Sequence, residues 1–226
     1  MSTSLASLGR AAFSELIDFL LPPVCPLCRT QPPTRGGLCA ACADATGLEP
    51  SWREGGEPLA CAGAAAPYAG KAEEMIKGLK YAGRLSLAAP LGHLLAAAIE
   101  GRGRCCDLLA PVPLHPRRLA ERGFNQSLLL ARQLARQAGL AVQIVPRLLA
   151  RIRYTRPQVE LAGSEREVNV RGAFAVAEAA GLLEGRSVLL IDDVFTTGAT
   201  LKECAAALRR AGAARVLALT VARTSQ

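Results

Sequence analysis

The chain has 226 residues, half of them apolar, a net charge of +8 and only 4% aromatics. That length suits one α/β domain with a small appendage, and the basic balance suits anionic partners such as pyrophosphate or nucleic acid. Scarce aromatics argue against a single-strand-binding surface built on base stacking, and apolar runs broken within a few residues argue against a membrane-spanning helix.

The first 21 residues read as an amphipathic helix, Leu5 to Leu21, with Leu8, Ala12, Leu16, Phe19 and Leu20 inward. Glu15 and Asp18 interrupt what would otherwise resemble the apolar stretch of a signal peptide. Two Cys-x-x-Cys knuckles follow, Cys25 with Cys28 and Cys39 with Cys42. Four thiolates at this spacing suit one tetrahedral Zn²⁺. The loop-rich surroundings have little core of their own, so a metal would supply their order. Redox and disulfide readings stand beside it, but neither knuckle opens a βα unit and nothing else points to an oxidising compartment. A four-cysteine shell leaves no open coordination position, so the zinc would be structural. Cys61, Cys105, Cys106 and Cys204 read as ordinary buried thiols. Residues 46–62, poorly patterned and carrying Gly55 and Gly56, read as a linker. Helical patterns run over Gly70 to Tyr81 and Leu85 to Ile99. Lys77 and Lys80 share a face of the first and read as solvated, though a bound phosphate is within their reach. His93 reads as structural.

Asp107 to Leu114 is a strand that runs into HPRRLAERGFNQS and then a helix. The turn carries Arg117, Arg118, Arg122, Gly123, Asn125 and Gln126, donors suited to an anion on a backbone path that Gly123 keeps tight. Val142 to Leu149 reads as the next strand. A long polar stretch then offers Arg151, Arg153, Thr155, Arg156, Gln158, Arg166 and Asn169, a set that could close over a charged ligand. Val188 to Ile191 is an unbroken apolar run, as in a parallel strand buried on both faces. It stops at Asp192 and Asp193. Thr196, Thr197, Gly198, Ala199 and Thr200 form a hydroxyl-rich loop, a helix follows, and Arg215 to Arg223 is the last strand. Ligands of open α/β sheets sit at the carboxyl ends of strands, and a helix start favours phosphate. The acid pair would face sugar hydroxyls or Mg²⁺, so the loop suits a phosphorylated sugar.

IDDVFTTGAT resembles the 5-phosphoribosyl 1-pyrophosphate (PRPP) loop of type I phosphoribosyltransferases, departing only at Phe195, where that family usually carries an aliphatic residue. With the paired knuckles, PVPLHPRRLAERGFNQS, RIRYTRPQ and REVNVRGAF in this order, nearly the whole chain resembles the ComF family. The resemblance implies an open parallel α/β sheet of the type I phosphoribosyltransferase kind (residues 63–226), a small N-terminal four-cysteine zinc segment with its linker (22–62), and the leading helix (1–21). It implies PRPP bound with Mg²⁺, Asp192 and Asp193 at the ribose, a cytoplasmic role in bacterial DNA uptake and natural competence, and handling of single-stranded DNA. Two functions remain open: a transferase with an unidentified acceptor, or a non-catalytic PRPP-site module that serves single-stranded DNA or a competence protein. Family members often carry further cysteine pairs, and only Cys61 stands in that region here.

Overall fold

The strand that carries the acid pair, β7 (Ser187–Phe195), lies inside a six-stranded sheet of order β1-β2-β8-β7-β3-β4. The structure is a computed structural model that describes residues 23–34, 36–102, 105–154, 169–177 and 181–224. The leading helix, with Thr155, Arg156, Gln158 and Arg166 of the polar stretch, lies outside the described residues. Around β7 stand β8 (Arg215–Arg223) and β3 (Leu108–Pro111), both parallel to it. Further out are β2 (Cys61–Pro67), parallel to β8, and β4 (Gln143–Ile144), parallel to β3. Only β1 (Ser51–Glu54), on the edge, runs antiparallel.

The sheet is covered on both sides, which explains the unbroken apolar run. Leu189 and Ile191 face a layer formed by α2 (Gly70–Ala82), α3 (Ala88–Ile99) and α5 (Gln126–Gln137), with Met75, Leu91, Leu95, Leu130 and Leu134 in the same cluster. Val188 and Leu190 face the other way, onto Leu201, Cys204, Ala205 and Leu208 of α6 (Ala199–Arg210). A short α4 (Pro116–Arg122) follows β3, and a five-residue α1 (Ala40–Asp44) lies in the cysteine segment. No described helix is long and apolar enough to cross a membrane.

Four sequence expectations change. Residues 46–62, read as a linker, hold β1 and open β2. The CAGAAAP strand is hidden because Ala and Gly have low strand propensity; small residues are needed there because the Trp52 indole lies over Gly63, where a Cβ would come within 2.5 Å of the ring. Trp52 Nε1 also donates to Ala98 O at 2.9 Å, tying the edge strand to α3. The strand expected over Val142 to Leu149 is two. Pro146 cannot donate to a ladder, so β4 ends before it, while β5 (Leu149–Arg151) pairs with β6 (Phe174–Val176) in a separate small sheet. The second helical pattern divides into a 3-10 turn, Leu85–Leu87, and α3. Of the four thiols read as buried, Cys106 and Cys204 are buried, whereas Cys61 and Cys105 are half-buried.

The cysteine knuckles are docked on the main domain. Cys25, Leu27, Leu38, Cys39 and Cys42 belong to the same apolar cluster as α2 and α3. Arg84 Nη2 donates to Leu27 O at 2.9 Å and also to Pro26 O. Gly36, at φ +58°, lies flat against the His93 ring, so His93 is structural as expected.

Helix α3 packs closely on α5 through Gly92. A Cβ there would sit 2.3 Å from Gln133 Cβ and 3.2 Å from its carbonyl carbon. Gly92→Ala is expected to lower stability by about 1–3 kcal/mol despite the better helix propensity of alanine, because neither neighbouring atom can swing away. Urea unfolding checks it, and an unchanged or higher midpoint would show that the helices separate freely.

Candidate functional site

Strand order decides where the site lies. From β3 the chain moves outward to β4, and from β7 it moves the other way to β8. The carboxyl ends of β3 and β7 therefore flank a topological switch point, where a crevice opens between diverging connections. Pro111 and Ile191 are paired in register there. The next residues on each strand, Val112 and Asp192, line a cavity of about 920 Å³.

The acid pair forms the floor. Asp192 Oδ1 accepts from the Ser127 hydroxyl and from the Asp193 amide, each at 2.9 Å. Asp193 is only 5% exposed. Its Oδ1 lies 2.7 Å from Lys80 Nζ, and its Oδ2 is buried with no hydrogen-bond partner. Burial, then the neighbouring Asp193 charge, push the Asp192 carboxyl up to about 7; Lys80, the Asp193 amide and Ser127 pull the other way. Burial disfavours the Lys80 ammonium, but the Asp193 and Asp192 charges outweigh it and raise its pKa.

Thr196 and Thr200 line the same cavity as the acids. Gly198 begins α6 at φ +78°, and the Phe195 ring fills the space where a Cβ would be, 2.6 Å from Cζ. Arg223 Cζ sits 4.4 Å from the Phe195 ring centroid and its Nη2 donates to Ala62 O, so the aromatic residue at this position is packed as a wedge under the loop. The loop thus holds the start of α6, with its unpaired amides and positive dipole end, toward the cleft.

The same cavity is lined by guanidiniums. Arg118, Arg122, Gln126 and Arg151 line the cavity, as do Tyr81 and Tyr154. Arg122 Nη1 donates to Gln126 Oε1 at 2.5 Å. Burial, then the nearby Arg118 charge, lower the Arg151 pKa, the mark of a cation set that an anion would relieve. Other residues of the predicted set serve the frame. Asn125 caps α5, accepting from Ser127 N at 2.9 Å and donating to Val112 O at 3.1 Å. Arg117 stacks on Tyr154 outside the cavity lining, 5.5 Å from the ring centroid. Arg153 donates to Asn169 O and Arg171 O, joining residues on either side of the polar stretch. Gly123 takes φ +80° and ends α4. Thr197 Oγ1 accepts weakly from Ala199 N, at 3.4 Å.

Lys80 and Ser127 are the residues that sequence reasoning undervalued. Lys80 lay on a face with Lys77, which does bind Glu73 at 2.7 Å on the surface. A lysine four-fifths covered at a helix end leaves no periodic signal. Ser127, next to Asn125 and Gln126 in the motif, was the readable clue.

At the other end of the chain, the ligand atoms of Cys25, Cys28, Cys39 and Cys42 all lie within 4.8 Å of one another, with Cys28 and Cys39 sulfurs 3.7 Å apart. Tetrahedral zinc with bonds of about 2.3 Å sets its sulfurs about 3.8 Å apart, so the four residues fit a structural zinc.

Comparison with known proteins agrees with both halves. A family model described as Phosphoribosyl transferase domain matches residues 125–226, and one described as Double zinc ribbon domain matches residues 16–73. The DNA utilization protein YhgH of Escherichia coli K12 is 36% identical over 164 residues, 70% of each chain. Competence protein F of Haemophilus influenzae is 32% identical over 154 residues, 66% of each chain. Competence protein ComFC of Bacillus subtilis is 36% identical over 118 residues, 52% of this chain and 45% of that protein. The chain belongs to the ComF family.

Within the ComF family match, the zinc segment here is short: among the described residues one four-cysteine cluster is assembled, although the matching family model is a double ribbon. Cys61 is on β2, away from the knuckles in sequence and committed to the sheet.

Two outcomes are expected. Purified protein carries a single zinc by elemental analysis, and Cys28→Ser loses it and melts at lower temperature, since the knuckles share the α2–α3 core. The Asp192 carboxyl, at about 7 in the fold against about 3.9 unfolded, binds more protons when folded. Its stabilising contribution is full below about pH 4 and is lost as pH rises through 7. Relative to Asp192→Asn, wild-type stability therefore falls between pH 4 and 7 and levels off above; parallel denaturation curves across that range would remove the buried-acid account.

Proposed function

We propose that the cleft binds PRPP, and that the protein is a phosphoribosyltransferase-like member of the ComF family acting in the uptake or use of DNA. The observation that carries this is the meeting of two chemistries in the lining of one cavity: the Asp192–Asp193 pair with Thr196 and Thr200, and the guanidiniums of Arg118, Arg122 and Arg151. The 5-phosphate suits the α6 start and the two threonine hydroxyls. The ribose hydroxyls suit the acid pair, where Asp193 Oδ2 is a buried acceptor still to be satisfied. The diphosphate suits the guanidiniums, whose planar forks match phosphate oxygens.

In such a site the bond from C1 to the diphosphate oxygen breaks, the electron pair leaves with the diphosphate, and an acceptor nucleophile bonds to C1. Positive charge grows on the ribosyl ring as this happens. Carboxylates fixed under the ring stabilise it without reorganising, and the arginines take up charge on the departing group. Mg²⁺ chelated by the diphosphate would add charge neutralisation there.

The names of the relatives, Competence protein F and DNA utilization protein, support placing this activity where incoming DNA is used, in the cytoplasm. A non-catalytic PRPP module that serves single-stranded DNA or a competence protein uses the same cleft. Contact with DNA through this arginine-rich surface would run to phosphates and weaken steeply with salt.

Calorimetric titration of PRPP into the zinc-replete protein, with ribose 5-phosphate and pyrophosphate as controls, tests the reading. PRPP is expected to bind, and Asp192→Asn combined with Asp193→Asn to lose at least about tenfold in affinity. Asp193→Asn alone is expected to abolish pyrophosphate release once an acceptor is supplied, with the fold retained. Absence of PRPP binding at millimolar concentration would sink the proposal.

A further inference from the structure

The lysines of α2 divide into two kinds. Lys71 pairs with Glu74 and Lys77 with Glu73, both at 2.7 Å, and both lysines stay more than a third exposed, the Lys77–Glu73 pair at the edge of the cavity lining. Lys80 turns inward, four-fifths covered, to 2.7 Å from Asp193 Oδ1 at the cleft floor. The carboxylate oxygens there are unequally engaged. Asp192 Oδ1 already accepts two hydrogen bonds, whereas Asp193 Oδ2 is buried without one. On Asp193 a dication would find one oxygen buried and unpaired and the other already beside an ammonium. Mg²⁺ demands a near-octahedral oxygen shell and gives up water reluctantly. An ammonium needs no such shell and has three donors, one of them directed at Asp193. Arg118 and Arg122 line the same cavity, so a diphosphate held there lies within a cavity that Lys80 also lines.

We propose that Lys80 is the built-in cation of this site: its ammonium spans Asp193 and the ligand's diphosphate, so a diphosphate-bearing sugar binds without a divalent ion and the acid pair captures no metal from solvent. This rests on the phosphosugar reading above. It makes Lys80 a binding residue, contributed by a helix outside the loop and turn motifs.

The test uses the full-length protein in two arms. In the first, Mn²⁺ alone is titrated and followed by electron paramagnetic resonance. Wild type is expected to bind none at the acid pair up to millimolar Mn²⁺, and Lys80→Met to bind it, because two uncompensated carboxyls then share the floor. In the second, PRPP is titrated in excess chelator. Wild type binds; Lys80→Met loses at least about tenfold in affinity and regains it with Mg²⁺; Lys80→Arg, which keeps the cation, stays within about threefold. Metal capture by the wild-type acid pair, a wild type that binds PRPP only with metal, or a Lys80→Met variant that binds as wild type in chelator overturns the proposal. Should Lys80→Met fail to fold, the wild-type arms and Lys80→Arg still decide it. Should wild type bind no PRPP with or without metal, the phosphosugar reading fails by itself. Mn²⁺ capture by Lys80→Met then still supports the built-in cation, and no capture overturns it.

Discussion

Asp193 is a carboxylate held almost out of water at the end of a strand whose two faces are already buried. A charge so placed is costly unless it is paired. Lys80 supplies the pair across the cleft from α2, and Ser127 from α5 steadies the neighbouring Asp192. Two helices of the same layer are therefore fastened to the tip of β7 by polar contacts, while their apolar faces cover its body. The same contacts leave Asp193 Oδ2 unsatisfied and Asp192 poised near neutrality. In the proposed reading, that unsatisfied oxygen is the acceptor for a ligand hydroxyl.

The sheet positions the rest. Because β3 and β7 are adjacent and their connections diverge, the arginine turn after β3 and the threonine loop after β7 open onto one crevice. Two loops more than sixty residues apart become walls of one cavity through a register fixed at Pro111 and Ile191. Phe195 refines this locally: with Arg223 stacked on it, the ring sets the height of Gly198 and hence the aim of α6.

The cysteine segment is tied to this domain more closely than a tethered finger. Its knuckle carbonyls are held by Arg84, two residues beyond the end of α2, and its turn glycine rests on His93 of α3. Since α2 also carries Lys80, the metal segment and the acid pair are both held at the C-terminal end of that helix, by Arg84 and Lys80. The order that zinc brings to the knuckles is thus delivered to the elements that brace the cleft.

Much of this was legible from residues alone. The apolar run that ends at two acids, the hydroxyl loop, the basic turn and the four cysteines each declare local chemistry, because strand burial, helix starts and metal ligation depend on neighbours in sequence. What the sequence concealed depends on neighbours in space. CAGAAAP becomes a strand because Trp52 lies over Gly63; residues 142–149 divide between two sheets at Pro146; Asn125 and Arg153 are drawn into backbone hydrogen bonds. Lys80, outwardly a solvated lysine, is turned inward by a carboxylate 113 positions away. The sequence by itself determined which groups this protein carries and which strand and helix ends present them. Only the tertiary structure decided which of them meet, since strand order and helix docking bring together charges that no local pattern can connect.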